Sequence, residues 1–219
     1  MKRPSTLYAL AGLLWLSPGP GTGVAGAQGV SPKDPVSLKS SPVCVDVQTD
    51  AGSVEFLATG WPSALKIHGK GTGPAGTLTV TDHDVTGAVA VDLASLQTGI
   101  SLRDRHLKEE YLQVDRYPQA RLTLSHLDVS RLPEGATFGA VAIPFEGTLL
   151  LHGVEKPVSG QAKVSRNDSR IAVSAQFSIS LGDFGVGVPK YMGITVAEKV
   201  DVKAAFSAAV GLTRDVARR

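Results

Sequence analysis

The chain has a single cysteine, Cys44, in 219 residues. No disulfide can form within it, so stability has to come from the core alone. Ser41-Pro42-Val43 ahead of Cys44 do not resemble a lipid-attachment site. A small, semi-buried strand residue describes Cys44 better than a reactive thiol does. Aromatic residues make up 5% of the chain and methionines number two, which leaves Val, Leu, Ile and Ala to fill the interior. An excess of one charge is missing too: Lys+Arg total 22 against 20 Asp+Glu, and two of the cations are Lys2 and Arg3. Without those two the balance is neutral. Nucleic-acid binding, which rests on phosphate neutralisation, is not expected. The apolar run Leu7–Leu16 has about ten residues, half of what a bilayer-spanning helix needs, so no membrane span is expected. The five histidines at 68, 83, 106, 126 and 152 show neither H-x-H nor H-E-x-x-H spacing. Asp82-His83-Asp84 reads as a polar turn rather than a cation site. With no G-x-S-x-G elbow either, no metal, cofactor or catalytic residue is expected.

The first residues read as a secretory signal peptide. Lys2-Arg3 supply the positive start, Leu7–Leu16 the apolar core, and Ala25-Gly26-Ala27 a small-x-small cleavage site. The expected organisation is a signal peptide over 1–27, a Ser/Pro/Lys-rich linker over 28–42, one domain over 43–210 and a charged tail over 211–219. A periplasmic or secreted location follows.

From Val43 the chain alternates. Val43, Val45 and Val47 point one way; Val54, Phe56 and Ala58 repeat the pattern. Gly69 to Gly76 reads as a glycine-rich turn, without the Gly-Lys-Ser/Thr ending of a phosphate loop. The clearest strand is Ile171 to Leu181, apolar or small at every odd position. That period of two puts one face in an apolar interior and one in water. About eight such strands, antiparallel and short, predict a sandwich or a barrel. Gly87 and Gly160 fall among the inward positions, and small inward residues leave room for a ligand.

The stretch from Leu93 to Ala120 breaks this pattern. Ser101 with Asp104 three residues on is a capping-box spacing, which predicts a short helical cover over 101–114. Leu107, Tyr111 and Val114 share one of its faces. Arg103, Asp104 and His106 either meet the polar head of a ligand or pin the cover to the sheet, with Asp104 capping and pairing with an arginine. Lys108, Glu109 and Glu110 read as a solvated face.

Three motifs in order resemble the YceI-like family. The first is Leu96-x-Thr98-Gly99, then Arg103-Asp104-x-His106-Leu107-Lys108, then Tyr117-Pro118-x-Ala120. The second is Gly147-x-Leu149-x-Leu151-His152-Gly153-Val154-x-Lys156-Pro157-Val158. The third is the strand from Phe177 into Asp183-Phe184-Gly185, followed by the closing strand at Val200. The chain departs from the family pattern over 56–76, where the usual aromatic-rich entry is missing.

The resemblance implies an antiparallel lipocalin-like β-barrel with an apolar pore. It implies a binding protein rather than an enzyme, holding a long-chain isoprenoid, isoprenoid quinone or other lipid. A homodimer is compatible with it. Phe145, Leu149, Phe177, Ile179, Phe184, Tyr191 and Met192 become candidates for the pore lining, and Arg103, Asp104 and His106 for the head group. The alternatives are a lipid-acting hydrolase and a secreted interaction domain with a filled core.

Overall fold

The protein is described here from a computed structural model covering residues 42–48, 50, 52–61, 66–188, 190–191 and 194–209. The signal peptide, the linker up to residue 41, Met192 and the tail over 211–219 lie outside the described residues.

Among the described residues, eleven strands form one antiparallel sheet. In chain order they are β1 (Val43–Val47), β2 (Gly52–Trp61), β3 (Lys66–Thr72), β4 (Ala75–Val80), β5 (Val85–Asp92), β6 (Gln119–Leu127), β7 (Thr137–Leu151), β8 (Val154–Asn167), β9 (Arg170–Ser180), β10 (Lys190–Tyr191) and β11 (Ile194–Ala209). The spatial order is β1-β4-β5-β6-β7-β8-β9-β11-β2-β3, with the two-residue β10 paired to the start of β11. The sheet curls until β3, at one edge, reaches the segment after β5. There Lys70 and Gln97 exchange both backbone hydrogen bonds at 2.8 Å. The all-β antiparallel fold expected from the alternation is observed, and of sandwich and barrel it is the curled, lipocalin-like barrel that the resemblance implied.

Alternation decides which side chains enter. On β9, Ile171, Val173, Ala175, Phe177 and Ile179 turn inward, while Ala172, Gln176 and Ser178 stand exposed. On β7, Ile143, Phe145, Leu149 and Leu151 are buried, and Pro144 and Glu146 between them are exposed. Pro144 and Pro157 sit inside strands without breaking the sheet. Each lies where pairing to one neighbour has stopped, at Phe145 on the β6 side and at Gly160 on the β9 side. The β7–β8 hairpin closes over His152 and Gly153, both at positive φ (52° and 78°), as a two-residue hairpin turn requires.

Three local expectations are corrected. The glycine-rich stretch from Gly69 is mostly strand, not turn. Ile67, Gly69 and Gly71 face inward from β3, while Lys66, His68, Lys70 and Thr72 are the outer face. Only Gly73 and Pro74 link it to β4. A Cβ on Gly69 would lie 2.1 Å from Cε1 of Phe56, so the glycine is there to receive that ring. Gly160 likewise leaves no void: a Cβ there would meet the Phe145 ring at 2.8 Å. Cys44 does lie on a strand, but on its exposed face.

The cover between β5 and β6 is helical over a shorter span than 101–114. It is α1 (Ser101–His106) followed by one wide turn, Leu107–Tyr111, in which the Leu112 N–H donates to the Leu107 carbonyl at 2.9 Å. Ser101 and Asp104 do not form a capping box. Ile100 occupies the N-cap without a side-chain bond, because Asp104 reaches past it to Thr98.

The interior divides into two clusters. One half of the barrel is solidly packed around Val85, Leu127, Ile143, Phe145, Ala162 and Val164. The other is ringed by Ala58, Leu93, Leu112, Leu149, Leu151, Ile179, Phe184 and Val200, and it encloses space.

Candidate ligand-binding site

That space is a cavity of about 660 Å³, inside the 300–1,000 Å³ range of pockets that enclose small organic ligands. Its wall is mostly aliphatic. Val54, Phe56 and Ala58 contribute from β2, Val89 and Val91 from β5, Val202 and Ala204 from β11. Leu149, Phe177 and Ile179 come from β7 and β9.

The mouth is marked by lining residues that also meet solvent: Ile100, Leu102, Glu110 and Gly187. Every ionisable lining group sits on the cover, at or near this rim. Arg103, His106, Glu110 and Tyr111 do so, beside the Thr98 hydroxyl. Thr98 organises the cluster. Its N–H donates to Asp104 Oδ1 at 2.7 Å, and its hydroxyl donates to the same oxygen. Arg103 donates from Nε to Thr98 Oγ1 and from Nη2 to the Thr98 carbonyl, both at 2.8 Å. The bonds from Thr98 hold the Asp104 carboxyl below its usual pKa against a smaller upward push from desolvation. Asp104 thus braces the loop. Arg103 is presented to the cavity with its guanidinium oriented by Thr98. His106 Nε2 lies 3.8 Å from Glu110 Oε1, with both side chains well exposed.

The residues singled out from the sequence fall into groups. Leu149, Phe177 and Ile179 stand on the cavity wall, and Arg103 and His106 on its rim. Asp104 supports the rim from behind without lining it. Phe145 lies in the packed half, 2% exposed, and does not line the cavity. Phe184, also 2% exposed, belongs to the cluster around the cavity but is not on its surface. The reason is the same for both: their rings are consumed by packing. Tyr191 lies on β10, and nothing is described of its side chain; Met192 is outside the described residues. Missed by the sequence reading were Phe56, Val89, Val91 and Val202. Their alternation was visible, but which inward residues border a void depends on how the sheet closes.

The histidines do not assemble. Among the described residues no group of three His, Cys, Asp or Glu side chains could hold a metal ion. His126 pairs with Asp84 on the outside of the sheet (Nδ1 to Oδ2, 3.1 Å). His152 packs on the Tyr117 ring at 4.6 Å between centroids, with Nδ1 3.3 Å from the Phe184 carbonyl.

Comparison with known proteins decides the family. The model of the YceI-like domain matches residues 46–208, most of the chain. The chain belongs to the YceI-like family. The matched stretch holds every cavity-lining residue of this YceI-like domain. Solved structures share its fold. A polyisoprenoid binding domain from Saccharophagus degradans, implicated in plant cell wall breakdown, superposes with a TM-score of 0.61 at 18% identity, covering 77% of this chain and 99% of the other. Burkholderia cenocepacia BcnA gives 0.61 at 18% identity, covering 75% and 100%. A Campylobacter jejuni YCEI protein gives 0.50 at 15%, covering 66% and 85%. No curated protein matches the chain. Among the described residues, no helix of the YceI-like domain is long and apolar enough to cross a membrane.

Proposed function

We propose that this YceI-like protein is exported and sequesters or carries a long apolar molecule, such as a polyisoprenoid, an isoprenoid quinone or a fatty-acid derivative. The observation that carries the reading is the division of the cavity: about 660 Å³ walled by aliphatic side chains, with ionisable groups confined to the cover at its mouth. Such a site takes an amphiphile chain-first and leaves its polar end at the rim. Each buried CH₂ contributes about 0.8 kcal/mol, so a few isoprene units are enough for about micromolar binding after ordering costs. Arg103 is the head-group residue we favour, because a guanidinium offers several donors in a fixed fork to a carbonyl or phosphate. His106 beside it is a second candidate, and Asp104 acts through the loop it braces.

Binding without chemistry fits the groups present. The Thr98 hydroxyl, the one nearest the rim cations, is bonded to Asp104 and Arg103 rather than to a histidine base, so it lacks the activation a nucleophile needs. The relative described as a polyisoprenoid binding domain agrees with this reading. Export rests on the 1–27 pattern, and a periplasmic or secreted location goes with it.

The test is native mass spectrometry of protein purified from its own host. Retained lipid that is lost on Phe177→Asp, an unpaired carboxylate set into an apolar wall, is the expected result. Protein that carries no lipid, and binds no isoprenoid quinone added in detergent-free buffer, would refute the reading. N-terminal sequencing should find Gln28 first.

A further inference from the structure

We propose that the mouth of the cavity docks on the surface of a lipid bilayer, with Ile100 and Leu102 inserted among the lipids. The inference extends the carrier reading above, because it says where the ligand enters and leaves.

Among the described residues, Ile100 and Leu102 are the only large hydrophobic side chains that stand exposed, at 53% and 55%. Both also line the cavity, so the two exposed large hydrophobic side chains of the described residues sit together at the lip of this apolar cavity. Isolated exposed apolar residues need no explanation, but two that flank an apolar opening form a continuous path from it to whatever covers them. The loop projects. Gly99 before them has φ +82°, and a Cβ there would meet nothing within 4 Å.

A second copy of the chain is a poorer occupant. Two half-exposed side chains fall far short of the roughly 800 Å² per partner that a stable interface buries. A bilayer sets no such threshold: interfacial binding scales with the apolar area inserted, so two side chains give weak, reversible docking. Charge on the segment is balanced. Arg103, Arg105 and Lys108 are matched in number by Asp104, Glu109 and Glu110, so the docking is driven by apolar insertion and shows little preference for anionic lipid.

The experiment uses ligand-free mature protein with phosphatidylcholine vesicles, with and without phosphatidylserine. Flotation should show partition onto both. Ile100→Ser with Leu102→Ser should reduce it by roughly tenfold or more, with an unchanged melting profile. In Leu102→Trp protein the added indole should be quenched by brominated phosphatidylcholine, whereas a tryptophan at the outward Thr123 should not. Failure of the wild type to float, equal flotation of the double variant, flotation on phosphatidylserine vesicles alone, or a wild-type dimer that the double variant abolishes would each overturn the proposal. Vesicle docking needs no bound isoprenoid, so its failure leaves the cavity reading standing. Docking without any isoprenoid capture would count against the cavity reading alone.

Discussion

The ring of Phe145 meets the ring of Phe177 edge-on, with centroids 6.0 Å apart and planes at 89°. At that contact the packed half of the barrel ends and the cavity begins, since Phe145 is core and Phe177 is wall. Two neighbouring aromatics therefore answer to different measurements. Phe145→Ala should cost about 3–5 kcal/mol of stability in denaturant unfolding. Phe177→Ala should cost less, because one side of its ring has no packed neighbour to lose. Its effect should fall on lipid retention instead. Equal losses of stability from the two would contradict this division.

Gly69 sets how far Phe56 leans into the cavity. With a Cβ 2.1 Å from the ring, Gly69→Ala must push the ring inward or part β2 from β3. We expect a loss of about 1–3 kcal/mol from overpacking and a shorter maximum chain length retained in native mass spectrometry. Adding Phe56→Leu should restore much of both. If Gly69→Ala alone changes neither, the ring has other room.

The Asp84–His126 pair joins the entrance of β5 to the bulge of β6. Asp84 Oδ1 also accepts from the Leu127 N–H at 2.7 Å. Partial burial pushes the Asp84 carboxyl up, but hydrogen bonds from Leu127, His126 and Val85 outweigh it and its pKa falls below 3.8. The bond to Asp84 raises that of His126 above 6.5. The contribution of the raised histidine is complete below 6.5 and fades as pH rises through its folded value. That of the depressed carboxylate is complete above 3.8 and fades as pH falls through its own. The pair is therefore strongest between those two values. Hydrogen exchange at Leu127 should be slowest there after correction for intrinsic rates, and Asp84→Asn should flatten the profile. Both groups are near the surface, so the effect should be small and weaken in salt.

Asp104→Ala should free Thr98 and with it Arg103. Affinity for a ligand with a carbonyl or phosphate head should drop, while affinity for the bare hydrocarbon stays near wild type; titration with the two ligands checks the contrast. Because the folded pKa of Asp104 is depressed, its brace is present above 3.8 and is lost as pH falls further. An equal drop for both ligands would show that Asp104 only holds the cover in place.

The sequence by itself determined the β character, the phase of the clearly alternating strands such as β7 and β9, and the place of the cover. These follow from local rules. Apolar residues at every second position on β9 can be buried only if the chain is extended, and the charge-dense 101–111 run fits no strand. The three motifs also specified the family. What tertiary structure alone decided is where the void lies. Phe145, Leu149 and Phe177 have the same inward phase in the sequence, yet Phe145 is packed and the other two are wall. The difference arises from which strands the curled sheet brings face to face, a long-range matter that period two does not encode. The glycines of β3 misled for a related reason. A cluster of glycines signals a turn, but Gly69 takes the ring of Phe56 from the adjacent strand. Asp104 was misread the same way: spacing suggested a cap on its own helix, and folding put Thr98 within its reach.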